Sequence, residues 1–189
     1  MVSLGALVLP IVLSAVLVFI LSSVIHMVIG YHASDYVRFP DEDGLRAAIR
    51  KANPAARQYV IPHCESMAAM KSPEHLQKIA EGPVGVLTIR PSGEVGMGKA
   101  LVTWFLYSLV VSAMAAYVAS ATLPTGTEYL KVFQVVGTTA WLAYAFGQLP
   151  AAIWMGKPWS IAAKEVFDGL IYGLATAGVF GWLWPKSAS

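Results

Sequence analysis

The chain has 189 residues, of which 57% are hydrophobic and only 13% charged, with a mean hydropathy of +0.61. Soluble domains carry about 25% charged residues, so this composition excludes an ordinary water-soluble globule. A net charge of +2 is too small for a nucleic-acid surface, and a single cysteine, Cys64, excludes an intrachain disulfide.

Residues 1–34 contain no charged side chain; the first is Asp35. That length exceeds the roughly 20 residues a helix needs to cross a bilayer, so it predicts a first transmembrane helix. It lacks a basic leader and an A-x-A-like cleavage site, and its apolar stretch outruns the roughly 7–15 residues of a signal peptide, so it reads as retained. His26 lies near the end of this span, one turn beyond Ser22 and Ser23. Ionisable residues at membrane depth are functional candidates. As a cofactor ligand, His26 would serve a haem held by two histidines, and the later spans hold no second one, so only a homodimer supplies it. The plainer alternative is a histidine bonded to serine or backbone near the interface.

Residues 35–99 are polar, with nine Lys and Arg interspersed among eight Asp and Glu. This mixture suits a solvated, folded cap better than a polybasic lipid-binding tail. Asp41 predicts an N-cap, with Glu42 and Asp43 in the first turn of a short helix that ends before Pro54. Ser72, Pro73 and Glu74 begin a second, stopped at Gly82-Pro83. Val84 to Arg90 predicts a strand or extended segment.

Two motifs in the cap carry potential chemistry. Gly93-Glu94-Val95-Gly96-Met97-Gly98-Lys99-Ala100 fits the G-x-x-x-x-G-K part of a phosphate-binding loop, but Ala100 replaces the hydroxyl that would hold Mg²⁺. A flexible entry turn with Lys99 reaching the headgroups is the favoured reading. His63, Cys64, Met67 and Met70, with His75 nearby, form a candidate metal set whose thiolate and thioethers favour copper as Cu(I). The competing interpretation is Met and Ala packing on an amphipathic turn.

Residues 100–189 supply three more apolar runs, Ala100–Leu123, Val132–Met155 and Val166–Trp184, which with the first helix predict one membrane domain. In the third span Gln134, Thr138, Trp141, Tyr144 and Gln148 share a helical face. Such a stripe bonds to neighbouring helices or lines a polar cavity. In the fourth span Gly169, Gly173, Ala177 and Gly181 form a small-residue ridge for close helix packing, against the second span or across a homo-oligomer. Ser108, Ser112, Ala116 and Ser120 form a matching set in the second. Asp168 lies inside the apolar limit, within reach of Lys164, and marks a possible cation or proton site.

The predicted fold is therefore all-α and membrane-integral: four transmembrane helices with a small cap between helices 1 and 2. Eleven Lys and Arg fall on the cap side against two, Lys131 and Lys186, on the other. The positive-inside rule then puts the cap in the cytoplasm and both termini outside.

The G-M-G-K-A-L-V-T-W-F segment opening the second span and the D-G-L-I-Y-G-L-A-T-A-G-V-F-G-W-L-W-P segment, residues 168–185, resemble uncharacterised small bacterial multi-pass inner-membrane proteins. The resemblance covers most of the chain and implies no activity and no residue roles. The sequence holds no catalytic constellation. Its first functional reading is a non-enzymatic subunit or scaffold of a membrane assembly, homo-oligomeric or larger, with the lipid bilayer as partner and no nucleic acid. The alternative is a small oligomeric ion, proton or solute transporter or channel, with His26, Gln134, Gln148 and Asp168 lining the path. A metal- or haem-binding role comes third; no cofactor is otherwise expected.

Overall fold

The structure is a computed structural model that describes residues 2–93 and 96–187. It is mostly helical, and three of its helices are long and apolar enough to cross a membrane. The first runs from Leu4 to Ile29: a 3-10 turn (Leu4–Leu7), the α-helix α1 (Val8–Ser23) and a terminal π turn (Val24–Ile29). Its outer face stays apolar, with Leu9 and Ile20 exposed, the pattern of a helix that faces lipid.

The cap follows. α2 (Glu42–Ala52) begins where the Asp41 carboxylate accepts from the Gly44 amide at 3.0 Å, and ends at Asn53 in the left-handed region. β1 (Gln58–Ile61) precedes α3 (Pro73–Glu81), which the Ser72 hydroxyl caps by accepting from the His75 amide at 3.2 Å. β2 (Gly85–Thr88) pairs antiparallel with β1, Gln58 opposite Thr88 and Ile61 opposite Gly85. Sequence patterning marks the β2 stretch within the longer apolar run from Val84 but not its partner, Gln58–Ile61. No described residue of the cap is buried. Its elements are held by local caps and one hairpin-like pairing, with no apolar core of their own.

α4 (Met97–Thr122) is the second long helix. The third apolar run is not one helix. α5 (Tyr129–Ala145) gives way to a 3-10 turn (Phe146–Gln148) and then to the short α6 (Leu149–Met155). Pro150 has no amide hydrogen for the helix ladder and Gly147 sits within the turn, which explains the break in an otherwise apolar stretch. α7 (Trp159–Leu183) is the third long helix.

α1, α4, α5 and α7 form a closed square in which each packs against two neighbours: α1 on α4 and α7, α5 on α4 and α7. The small-residue ridge of α7 meets α5, not the second span. A Cβ placed on Gly169 would lie 2.8 Å from the Ala145 Cβ, and one on Gly173 would lie 3.0 Å from the Trp141 Cβ. Gly137 on α5 answers the ridge, since its own Cβ would come within 2.9 Å of Ala177. Small residues on both helices thus let the backbones approach closely, and dispersion over that contact supplies the attraction that lipid does not. The serine set of α4 is also buried, but toward α1: Ser14 donates to the Ser112 hydroxyl at 3.0 Å.

Two core clusters result. At the end away from the cap, Leu7, Ala115, Ala119, Val132, Val136 and Phe180 pack tightly. Nearer the cap, Val18, Ile25, Val111 and Ala140 are joined by Tyr144 and Tyr172.

Candidate functional site

The first helix does not simply stop. In its π turn the Gly30 amide bonds to the Ile25 carbonyl, and Gly30 then takes φ of 66°, a left-handed conformation that glycine adopts without a Cβ clash. The following 3-10 turn, Tyr31–Asp35, folds back beneath the helix end. This reversal stacks His32 beside His26, ring centroids 4.6 Å apart.

A polar network grows from that turn. His32 Nδ1 lies 2.5 Å from the Asp35 carboxylate, and His32 Nε2 lies 2.7 Å from Asp168 Oδ2 on α7. The Tyr31 hydroxyl donates to the other Asp168 oxygen. Lys164, one turn before Asp168, donates to Asp35 at 2.5 Å, to the Tyr31 carbonyl at 2.8 Å and to the Ser34 hydroxyl at 3.0 Å. Lys164 does not pair with Asp168; it reaches the turn, and Asp168 is answered by His32 and Tyr31. The side chains of Asp35 and Asp168 are only 4% and 5% exposed. Lys164 first, and then His32, hold the Asp35 carboxyl below its ordinary pKa.

Among the described residues, His26, His32 and Asp168 are the one set of three histidine, cysteine or carboxylate side chains whose ligand atoms all lie within 4.8 Å of one another. A second histidine, His32, thus lies beside His26 in the same chain, just past the same span. Two rings side by side suit a metal ion or a hydrogen-bonded cluster better than the opposite faces of a porphyrin.

The network borders a cavity of about 600 Å³ at the cap end of the bundle. His26, Gln148, Glu165 and Asp168 contribute polar groups, and Trp104, Tyr107, Tyr144 and Tyr172 line it with aromatic rings. Trp104 is fixed by its indole N–H, which donates to Ser22 at 2.8 Å, and Tyr107 by donating to the Ala143 carbonyl at 2.9 Å. Tyr144 and Tyr172 are different. They are 6% and 4% exposed, yet neither hydroxyl has a hydrogen-bond partner among the described residues. Ser108 and Ser112 are the polar side chains nearest the Tyr144 hydroxyl, and the Ser108 hydroxyl donates to the Trp104 carbonyl.

Two backbone irregularities of the bundle face this cavity. The π turn carries His26, and the α5–α6 break carries Gln148. Helices surrendering regular bonds at membrane depth do so where protein or a water-filled cavity covers them.

The other sequence candidates lie elsewhere. Gln134 and Thr138 are exposed on the outer face of α5, so only the Trp141, Tyr144 and Gln148 portion of the stripe turns toward the bundle end. Met67 and Met70 are 80% and 46% exposed, and the Cys64 thiol donates to the Ser66 carbonyl; among the described residues, His63 and Cys64 join no set of three histidine, cysteine or carboxylate ligands. Of the phosphate-loop-like run, Glu94 and Val95 lie outside the described residues, and Gly96 caps α4 directly. Tyr31, His32 and Asp35 escape sequence reasoning. The signal that could find them is H-x-x-x-G-x-H-x-x-D across a span boundary, a glycine that lets the chain return its polar groups to the helix they follow.

No protein-family model, curated protein or solved structure matches the chain.

Proposed function

We propose that the protein is a small multi-pass transporter of the bacterial inner membrane, with the cap in the cytoplasm, and that it takes a small ion or polar solute into the cavity at the cap end. The cavity with its two unpartnered tyrosine hydroxyls carries this reading. A buried polar group without a partner costs about 1–3 kcal/mol, and a scaffold helix would satisfy it or replace it with Phe. A ligand that supplies the missing hydrogen bonds gives both hydroxyls a purpose. The broken α5–α6 beside the cavity agrees, since transporters build solute sites from discontinuous helices.

Four crossings complete the reading. α5, its 3-10 turn and α6 together run from Tyr129 to Met155, long enough to span with a kink. The eleven-to-two distribution of basic residues gives the orientation. The exposed Gln134 and Thr138 are polar surface that lipid penalises, which favours a homo-oligomer or a larger membrane complex covering α5. The protein acts by binding and passage, with no covalent step.

The test is flux through the purified chain in liposomes, read by dyes and by solid-supported-membrane currents, across protons, mono- and divalent cations and small organic solutes. Transport of one of them that disappears in Asp168→Asn is the expected result. A folded protein that moves none of them sinks the transport reading and restores the scaffold.

A further inference from the structure

The ligand atoms of His26, His32 and Asp168 all lie within 4.8 Å of one another, close enough for one metal ion to gather them. Two imidazoles and one carboxylate form a borderline donor set, suited to divalent first-row cations such as Zn²⁺ rather than to Cu(I), which prefers sulfur. We propose that these three side chains bind a divalent transition-metal ion, and that this ion is the cargo. The binding site stands on its own geometry; the assignment as cargo rests on the transport reading.

Three observations carry the site. First, its outer support is already in place. Metal-bound histidines hand their second ring nitrogen to a carboxylate, which fixes the ring, and His32 turns Nδ1 to Asp35 at 2.5 Å while presenting Nε2 to Asp168. Asp35 is itself held by Lys164 at 2.5 Å, and Asp168 by the Tyr31 hydroxyl. Each ligand but His26 is thus oriented by a named partner. Second, the movement needed is small. Ligand bonds of about 2.0–2.2 Å in tetrahedral geometry put neighbouring donor atoms about 3.3 Å apart. The His32 Nε2 to Asp168 Oδ2 separation is 2.7 Å, so the ion replaces their contact by opening it about half an ångström. His26 sits on the cavity side and is exposed, free to close onto the ion.

Third, three protein ligands leave a coordination position open, and two of the three, His26 and Asp168, line the cavity. Tyr172 stands one helical turn beyond Asp168 on α7, and Tyr144 packs against it with ring centroids 5.5 Å apart. Their unpartnered hydroxyls are suited to hold the water that fills the open position. A resident structural metal closes its coordination with protein; an open, cavity-facing site is what a transported ion needs in order to enter and leave.

The experiment uses the full-length protein in mild detergent, dialysed against Zn²⁺ alone, with bound metal counted by elemental analysis. Wild type is expected to hold one Zn²⁺ per chain. His26→Ala and Asp168→Asn should weaken binding at least about 100-fold, and Asp35→Asn, which touches no metal, about 10–100-fold. His63→Ala and Cys64→Ser should bind as wild type. Because His26 is exposed, its removal leaves the fold intact, which thermal unfolding of the same sample verifies. Liposomes loaded with a Zn²⁺ dye then report passage, expected in wild type and absent in His26→Ala. A wild-type protein without bound Zn²⁺, or a His26→Ala protein that binds normally, overturns the site while leaving transport of another solute open. Stoichiometric Zn²⁺ at this site with no flux of any tracer overturns the cargo assignment together with the transport reading.

Discussion

At the end of the bundle away from the cap, Leu7, Ala119, Val136 and Phe180 are fully buried against one another. At the cap end Tyr144, Tyr172 and Asp168 are almost as deeply buried, but beside a cavity and among imidazoles and carboxylates. The same four helices build both ends. The difference lies in side-chain chemistry: the far end is packed mostly with apolar residues, Phe180 among them, while the cap end has tyrosine rings beside a π turn and a helix break. Packing is close at the far end and left incomplete at the cap end, beside the cavity.

The most damaging change is expected at the α5–α7 seam. A Cβ on Gly173 already meets the Gly137 carbonyl oxygen at 3.1 Å, so Gly173→Leu forces the helices apart and forfeits their shared contact. Size-exclusion chromatography and thermal unfolding in mild detergent should show no folded monomer, whereas Leu170→Ala, off the ridge, should retain it. A folded Gly173→Leu monomer would contradict the seam. Next in size is Phe180→Ala, which empties a packed site in the far cluster and should cost roughly 3 kcal/mol, lowering the unfolding temperature while leaving Zn²⁺ affinity unchanged.

How much of this contrast is legible in the sequence depends on the range of the interactions. Three of the four long apolar runs and the Asp41 and Ser72 caps are local patterns, and each has a local structural counterpart. Which helix the ridge would meet is not local, because small residues recur on α4 and α5 alike. The break after Ala145 is written in Gly147 and Pro150, but hydropathy averaged over a span hides it. The site is the least legible part. His32 meets Asp168 across 136 residues, and Lys164 meets Asp35 across 129. Only the left-handed turn at Gly30 reveals that a loop histidine belongs with a span histidine.

Smaller effects sharpen the comparison from the cap side. Tyr172→Phe removes a buried hydroxyl that has no partner, so stability should hold or rise by about 1 kcal/mol while ligand affinity and flux fall. Opposite signs in unfolding and transport assays would mark a group kept for function; a clear loss of stability would show that the hydroxyl is satisfied within the fold.

The smallest effect is expected in the cap, at the exposed Glu74–Lys78 pair, 2.6 Å apart. Lys78 holds Glu74 below its ordinary pKa, so that carboxylate's contribution is present above the unfolded value and lost as pH falls through the lowered one. Glu74 raises Lys78, whose contribution is present below its unfolded pKa and lost as pH rises through the raised one. The pair is therefore intact across neutral pH, yet both groups sit in water and salt screens them. Lys78→Gln should leave the unfolding temperature unchanged within measurement at neutral pH. A marked drop would mean that the cap is held more tightly than its exposed surface indicates.

The π turn at the end of the first helix stores one residue beyond what an α-helix of the same length would hold. Converting it to α geometry expels that residue toward Gly30 and rotates the side chains beyond by about 100°, the angular step of one residue. His32, which follows the turn, would then swing relative to Asp168 while α1 keeps its seat against α4 and α7. A single-residue change of register, confined to one turn, would therefore present or withdraw an imidazole without moving the bundle.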